Sequence, residues 1–244
     1  MTLYIIGLGL SDEKDISLKA LETIKKCREI YLENYTSLLQ VPYKKLENLY
    51  KKKIILANRK LIENEFTDVI KKAKRINIAL LIPGDIFSAT THISIFQEAK
   101  KLKIKTEIIH NASILTAVGL TGLELYKFGR VASIPFDNIN ITTPMEILRS
   151  NRENNLHTLF LLDLNNENQD YLNIKKAIEY LIENNLSKTT RAIACARLGS
   201  KNQIIKSGSL ESLKNKNYGK APYCLIIPDK NLHFLEEEMF QSWQ

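Results

Sequence analysis

Residues Ile76 to Lys101 read INIALLIPGDIFSATTHISIFQEAKK, and the fold turns on them. Ile78-Ala79-Leu80-Leu81-Ile82 is apolar without alternation, as expected of a strand buried on both faces of a parallel sheet. Pro83-Gly84-Asp85 stops that strand. Ser88, Thr90 and Thr91 offer N-cap oxygens to a helix whose apolar positions Ile93, Phe96 and Ala99 recur at helical spacing. A strand thus runs through a polar loop with one carboxylate into a helix. In open α/β sheets small molecules gather outside the carboxyl ends of the strands, so this loop is the first candidate binding segment. The plainer role for Asp85 is to organise a turn.

Working outward, the same grammar precedes the stretch. Leu3-Tyr4-Ile5-Ile6-Gly7-Leu8-Gly9-Leu10 reads as a first buried strand running into a glycine turn. Asp12, Glu13 and Asp15 precede a helix with apolar positions Leu18, Leu21, Ile24 and Cys27, where acids suit the N-terminus. A dinucleotide fingerprint would need a third glycine where Asp12 stands, so Gly7 and Gly9 are read as a tight turn. Glu29 to Glu33 and Ile54 to Leu56 are further strands, with a short helix through Leu46, Leu49 and Tyr50. Leu61, Ile62, Phe66, Val69, Ile70 and Ala73 mark an amphipathic helix. A fifth strand falls near Glu107-Ile108-Ile109. Near Asn111-Ala112-Ser113-Ile114 a serine again stands where a helix begins, with apolar positions through Leu115, Val118, Gly119 and Leu123. The first half is therefore a mostly parallel α/β sheet.

After Gly129 the pattern changes. Val131 to Ile134 and His157 to Leu164 are strands. Thr143-Pro144-Met145-Glu146 reads as a capping box with proline at the first helical position. Ile174 to Ile182 is a helix, and Arg191 to Leu198, Gln203 to Lys206 and Tyr223 to Pro228 are shorter strands. Fewer crossover helices imply antiparallel pairing and a mixed sheet. The expected domains are 1–112 and 113–244, both α/β.

The 244 residues are 44% hydrophobic and 25% charged, ordinary for a soluble protein. No apolar run reaches the length of a membrane span, and Met1-Thr2-Leu3-Tyr4 lacks a basic leader, so a cytoplasmic location is expected. Cys27, Cys195 and Cys224 sit in apolar-periodic segments and read as reduced core thiols. The four histidines show no metal-ligand spacing, so no metal is expected. The net charge of +8 is scattered along helices, a solvated surface more than a nucleic-acid stripe.

No nucleophile–base pair, phosphate loop or paired-carboxylate site stands out. Such a chain suits a reaction whose reactivity the cofactor carries, such as methyl transfer from a sulfonium. No catalytic residue is assigned. His110 and His157 both lie at strand ends, where structural hydrogen bonding is the default role.

The segments LYIIGLGLSDEKDISLKALE, GDIFSATTH, IHNASILTAVGLTGLELYKFG, NNLHTLFLLDL and YGKAPYCLIIPDKNLHFLEEE together resemble the diphthine synthases, a family of the tetrapyrrole-methylase-like class. The resemblance spans essentially the whole chain. It implies two α/β domains with S-adenosylmethionine in the cleft between them, usually in a homodimer, and no nucleic-acid or membrane partner. It implies successive methylation of a modified histidine side chain in translation elongation factor 2, a step of diphthamide biosynthesis. Cofactor contacts carried over by motif are Leu10, Asp85, Ser88, Ser113 and Ile114 from the first half. Leu162, Ala196 and Tyr223 follow from the second. Asp85 would hold a cationic group, while Leu10, Ile114, Leu162 and Ala196 would supply apolar walls and backbone groups. The chain departs from the family at Ile86, usually proline, at Ser88, usually small or apolar, and at Tyr223, usually histidine. The chain passes directly from HTLFLLDL through NNENQDY to the helix at Asn173, without the longer insertion of the family's eukaryotic members, so the resemblance implies three N-methylations, as in archaeal members. The alternative is a fourth methyl, added as an ester. Competing readings are another tetrapyrrole-methylase-like enzyme, acting on a corrin precursor or ribosomal RNA, and a non-catalytic basic RNA-binding protein.

Overall fold

Apolar runs in the first half become strands, and polar-faced segments between them become the helices that cover the sheet. The computed structural model describes residues 1–166 and 168–244. The chain divides into two units, Met1–Leu115 and Thr116–Gln244.

The first unit runs β1 (Leu3–Gly7), α1 (Leu18–Lys26), β2 (Glu29–Glu33), α2 (Tyr43–Tyr50), β3 (Ile55–Ala57), α3 (Phe66–Lys72), β4 (Ile78–Ile82), α4 (Ile93–Lys101) and β5 (Thr106–Ile109). All pairings are parallel, in the order β3-β2-β4-β1-β5. Side-chain alternation feeds two cores. Leu3, Ile5, Ile78, Leu80 and Ile82 meet α3 and α4 residues such as Phe66, Ile70, Ile95 and Ala99 on one face. Ile6, Ala79, Leu81, Ile30 and Leu32 meet Ala20, Ile24, Leu46 and Tyr50 of α1 and α2 on the other. Burial on both faces is why these strands lack polar alternation. β1 and β4 are neighbours, yet the chain leaves them in opposite directions. From β1 it crosses to β2 beyond β4, and from β4 it crosses to β5 beyond β1. That reversal opens a crevice at their carboxyl ends.

Local expectations fail in four places. The segment before α3 begins as a π turn, Leu61–Glu65. α4 starts after His92 with no side-chain cap, because the Thr90 hydroxyl donates to the Ile86 carbonyl instead. Its buried positions are Ile95 and Ala99, and Ile93 is exposed. The helix after Ser113 is one turn, α5 (Ile114–Ala117), followed by a 3-10 turn, Val118–Thr121, that ends on Gly122 at positive φ.

The second unit runs β6 (Ala132–Ile134), α6 (Thr143–Glu153), β7 (Thr158–Leu162), β8 (Leu164–Asn165), β9 (Asp170–Tyr171), α7 (Ile174–Glu183), β10 (Arg191–Ala196), β11 (Ile204–Ser209), α8 (Leu210–Leu213), β12 (Tyr223–Ile227) and α9 (Phe234–Ser242). The main sheet is ordered β11-β10-β12-β7-β6, with β6 parallel to β7 and the other pairs antiparallel. Phe160, Leu162, Ala194, Ala196 and Leu225 pack with Ile178 and Leu181 of α7 and Leu148 of α6. The box expected at Thr143 does not form. Thr142 is the N-cap residue, and its hydroxyl donates to the Glu146 carboxylate. α9 is tied to β11 through Ser207, whose amide donates to the Trp243 carbonyl at 3.0 Å and whose hydroxyl donates to Phe240.

The three cysteines are free thiols and buried. No helix among the described residues is long and apolar enough to cross a membrane.

Candidate functional site

At the carboxyl ends of β1 and β4 the two following loops pair with each other. Gly9 and Gly84 form an antiparallel bridge, with N–H···O distances of 3.2 and 2.7 Å. Both sit at positive φ, +82° and +81°, where a side chain would be strained. A Cβ on Gly7 would stand 2.7 Å from the Gly84 carbonyl oxygen, so the approach itself demands glycine there. The turn read from the sequence is thus a contact between loops. At Gly84, by contrast, a Cβ would meet nothing within 4 Å.

The loop after β1 is held by Asp15, whose Oδ2 accepts from the amides of Leu10 at 3.1 Å and Ser11 at 2.6 Å. Gln40 Nε2 donates to the Leu10 carbonyl at 2.7 Å. Asp85 holds the loop after β4. Its Oδ1 accepts from the Phe87 amide and the Ser88 hydroxyl, each at 3.3 Å, and its Oδ2 from His110 Nδ1 at 2.9 Å and the Asn111 amide at 3.1 Å. The four lone-pair positions of the carboxylate are therefore occupied within the protein. Burial pushes the Asp85 carboxyl up, but His110 and the amides of Asn111 and Phe87 outweigh it and hold it below its ordinary value. Ile86 is fully buried in the core beside α4. It anchors the loop by packing where a proline would fix φ.

Asn111 knits the loops together. Its Nδ2 donates to the carbonyls of Gly7 at 3.1 Å and Asp15 at 3.0 Å, its Oδ1 accepts from the Ala112 amide at 2.7 Å, and its own amide reaches Asp85. Two residues on, the buried Ser113 hydroxyl accepts from the Leu115 amide at 3.1 Å, and half-buried Ile114 opens α5. The structure thus brings Leu10, Asp85, Ser88, Ser113 and Ile114 onto three loops of one sheet edge. Asp15, Gln40 and Asn111, which hold these loops, carry no local signal beyond being polar residues next to strand ends.

The other three candidates share one end of the second unit's sheet. Ala196 closes β10 and is the register partner of Tyr223, which opens β12. Leu162 closes β7, one step on from the Leu161–Cys224 pair. Leu162 and Ala196 are buried in the core, as their composition suggests. The Tyr223 hydroxyl donates to the Gly219 carbonyl, and the residue lines a cavity of about 340 Å³ with Ile174, Lys175, Lys214 and Tyr218. Beside it, the Arg197 guanidinium donates to the carbonyls of Asn202, Tyr218 and Lys220, fixing that loop.

The two strand-end histidines differ. His157 is wholly buried. Its Nδ1 accepts from the Asp229 amide at 2.9 Å, so the ring proton sits on Nε2 and is donated to Glu236 at 2.9 Å. Burial lowers the imidazole's pKa, against the pull of Glu236. Glu236 also accepts from the Glu124 and His233 amides and from Lys127. Burial raises its carboxyl, but these donors prevail and hold it at about 2. This is a structural network that ties α9 to the segment before β6. Among the described residues no cluster of three or more His, Cys, Asp or Glu is arranged for a metal ion.

A doubly wound parallel sheet with a switch-point crevice, followed by a mixed sheet, is the architecture of a methyltransferase class. The tetrapyrrole (corrin/porphyrin) methylase profile matches residues 2–214. Among curated proteins, diphthine methyl ester synthase of Schizosaccharomyces pombe is 37% identical over 264 aligned positions, covering 98% of this chain and 93% of that protein. The Yarrowia lipolytica diphthine methyl ester synthase is 40% identical, covering 96% and 86%. A crystal structure of diphthine synthase superposes with a TM-score of 0.94 at 38% identity, covering 100% of this chain and 96% of the other. The chain belongs to the diphthine synthase family of the tetrapyrrole methylases.

Proposed function

We propose that this protein transfers methyl groups from S-adenosylmethionine to the modified histidine side chain of translation elongation factor 2, in diphthamide biosynthesis. Full-length similarity to the diphthine methyl ester synthases carries this reading. The first unit's sheet edge supports it. Open space at Gly84, backbone groups of paired loops and apolar Leu10 and Ile114 suit a ligand with a flat ring, a ribose and an amino-acid tail. Bound there, the cofactor supplies an electrophilic methyl on a positively charged sulfur. Leu10, Ser88, Ser113 and Ile114 would hold it, with Leu162, Ala196 and Tyr223 as the second unit's contribution. Asp85 serves the cofactor through the loop it shapes, since its oxygens are already engaged. The same reading makes the protein a cytoplasmic homodimer with elongation factor 2 as its protein partner, without nucleic acid or membrane.

The name borne by the relatives favours four methyl groups, three on nitrogen and one as a carboxyl ester. The short connection between β7 and α7 favours three, and this second reading stands beside the first. Intact mass of elongation factor 2 carrying the unmethylated precursor, after incubation with this protein and S-adenosylmethionine, decides. A gain of four methyls supports the ester product and three the trimethyl product. No gain, with cofactor binding demonstrated, refutes the substrate assignment.

A further inference from the structure

Methylating an amine requires that it first lose a proton, and at neutral pH an aliphatic amine is an ammonium. Each N-methyl added releases one proton from the acceptor nitrogen. A group at the rim of the methyl-transfer site must take it or let water do so.

His110 is built for that task. It is the last residue before Asn111, at the carboxyl end of β5, the strand beside β1. Its Nδ1 lies 2.9 Å from Asp85 Oδ2. An ionised carboxylate only accepts, so Nδ1 carries a proton, and the lone pair of the neutral ring falls on Nε2. The side chain is 65% exposed, and Nε2 has no hydrogen-bond partner among the described residues. The Phe87 ring packs edge-on at 6.1 Å and limits its rotation. The charged group facing the imidazole is Asp85, itself locked by the Phe87 and Asn111 amides. A base, its orienting carboxylate and the loop that positions the carboxylate thus stand together at the switch-point edge. His157, the other strand-end histidine, has both ring nitrogens engaged and no exposure.

We propose that His110 is the general base of N-methylation, with Asp85 fixing its tautomer. The proposal rests on the methyltransferase reading above. The acceptor ammonium gives a proton to His110 Nε2. The freed nitrogen lone pair bonds to the methyl carbon as the carbon–sulfur bond breaks, its electron pair going to sulfur to leave a neutral thioether. The exposed imidazolium returns the proton to water before the next transfer. Forming a methyl ester from a carboxylate releases no proton and needs no base.

The test compares wild type with His110→Gln and His110→Ala on precursor-bearing elongation factor 2, following each methyl by mass. N-methyl transfer by His110→Gln is expected to fall about 100-fold or more, the usual contribution of a general base. Affinity for S-adenosylhomocysteine by calorimetry should stay within a few-fold of wild type. Added 4-methylimidazole should restore part of the His110→Ala rate. Where wild type forms the ester, ester formation on pre-trimethylated substrate should fall far less than N-methylation. Independently of turnover, nitrogen-15 spectra should show that the neutral imidazole favours the Nδ1-protonated tautomer, a preference lost in Asp85→Asn. Near-wild-type N-methylation by His110→Gln overturns the proposal. So does cofactor affinity falling in step with rate, equal loss of both kinds of transfer, or absence of rescue. A wild-type enzyme that binds cofactor yet transfers nothing refutes the substrate reading and this base assignment together, whereas a failure confined to the variants leaves that reading intact.

Discussion

Replacing Asn111 with alanine should loosen the whole first-unit edge, and the structure sets the size of the effect. The substitution deletes two donations, to the Gly7 and Asp15 carbonyls, and one acceptance, from the Ala112 amide. Net hydrogen-bond contributions of ~0.5–1.5 kcal/mol each, in a half-buried setting where water can reach some of the freed groups, give about 2–3 kcal/mol. Asn111→Asp should cost more at neutral pH. It keeps an acceptor for Ala112 but turns a second acceptor toward two carbonyl oxygens, close to ionised Asp85. Urea unfolding monitored by circular dichroism measures the stability loss, and calorimetry with S-adenosylhomocysteine measures the site. Affinity should drop in both variants, because the three loops bearing Leu10, Asp85 and Ser113 are no longer tied to one another. A loss below about 0.5 kcal/mol in Asn111→Ala, with unchanged affinity, would show that the loops hold their places without it.

Asp85→Ala should keep the fold yet weaken S-adenosylhomocysteine binding by roughly 10-fold or more, about 1.4 kcal/mol, since it releases Phe87, Ser88, His110 and Asn111 at once. Unchanged affinity removes Asp85 from the site. Stability should also fall as pH falls, in two overlapping windows. His92 is buried, and burial, opposed by the Ile86 carbonyl, lowers its pKa from 6.5 to about 4. Its neutral form stabilises the fold above 6.5, and about 3 kcal/mol is lost between 6.5 and 4 as the unfolded chain alone takes up the proton. Glu236, held at about 2 against an ordinary 4.5, adds a contribution that is complete above 4.5 and lost as pH falls toward 2. Unfolding midpoints that stay flat from pH 6.5 to 4 contradict the first window, and His92→Asn should flatten it.

What the chain disclosed in advance follows from the range of each interaction. β1 and β4 were legible because burial on both faces removes charged residues from consecutive positions, a signal contained in five residues. The loop after β4 was legible as a site because a strand, a stop and a helix adjoin. Asp85 was visible there, but its engagement with His110, 25 residues on, was not, since a hydrogen bond between loops leaves no periodicity. The capping errors at Thr90 and Thr143 share a cause. Several hydroxyls stood within reach of each helix start, and partners four residues away, the Ile86 carbonyl and the Glu146 carboxylate, took those of Thr90 and Thr142 in place of the helix amides. Glu236 is the first of three consecutive glutamates, with nothing local to set it apart, yet it is fully buried and bonded to Lys127, His157 and two amides.

The bridge between Gly9 and Gly84 adds a rung to the sheet beyond the last paired residues of β1 and β4, Gly7 and Ile82. Amides at loop tips ordinarily exchange with solvent quickly, but this rung predicts that these two exchange only when the strands open. One rim of the crevice is consequently set before any ligand arrives, and little chain entropy remains to be lost there on association. Mutations that loosen the rung should therefore be felt as slower productive capture of ligand as well as faster escape.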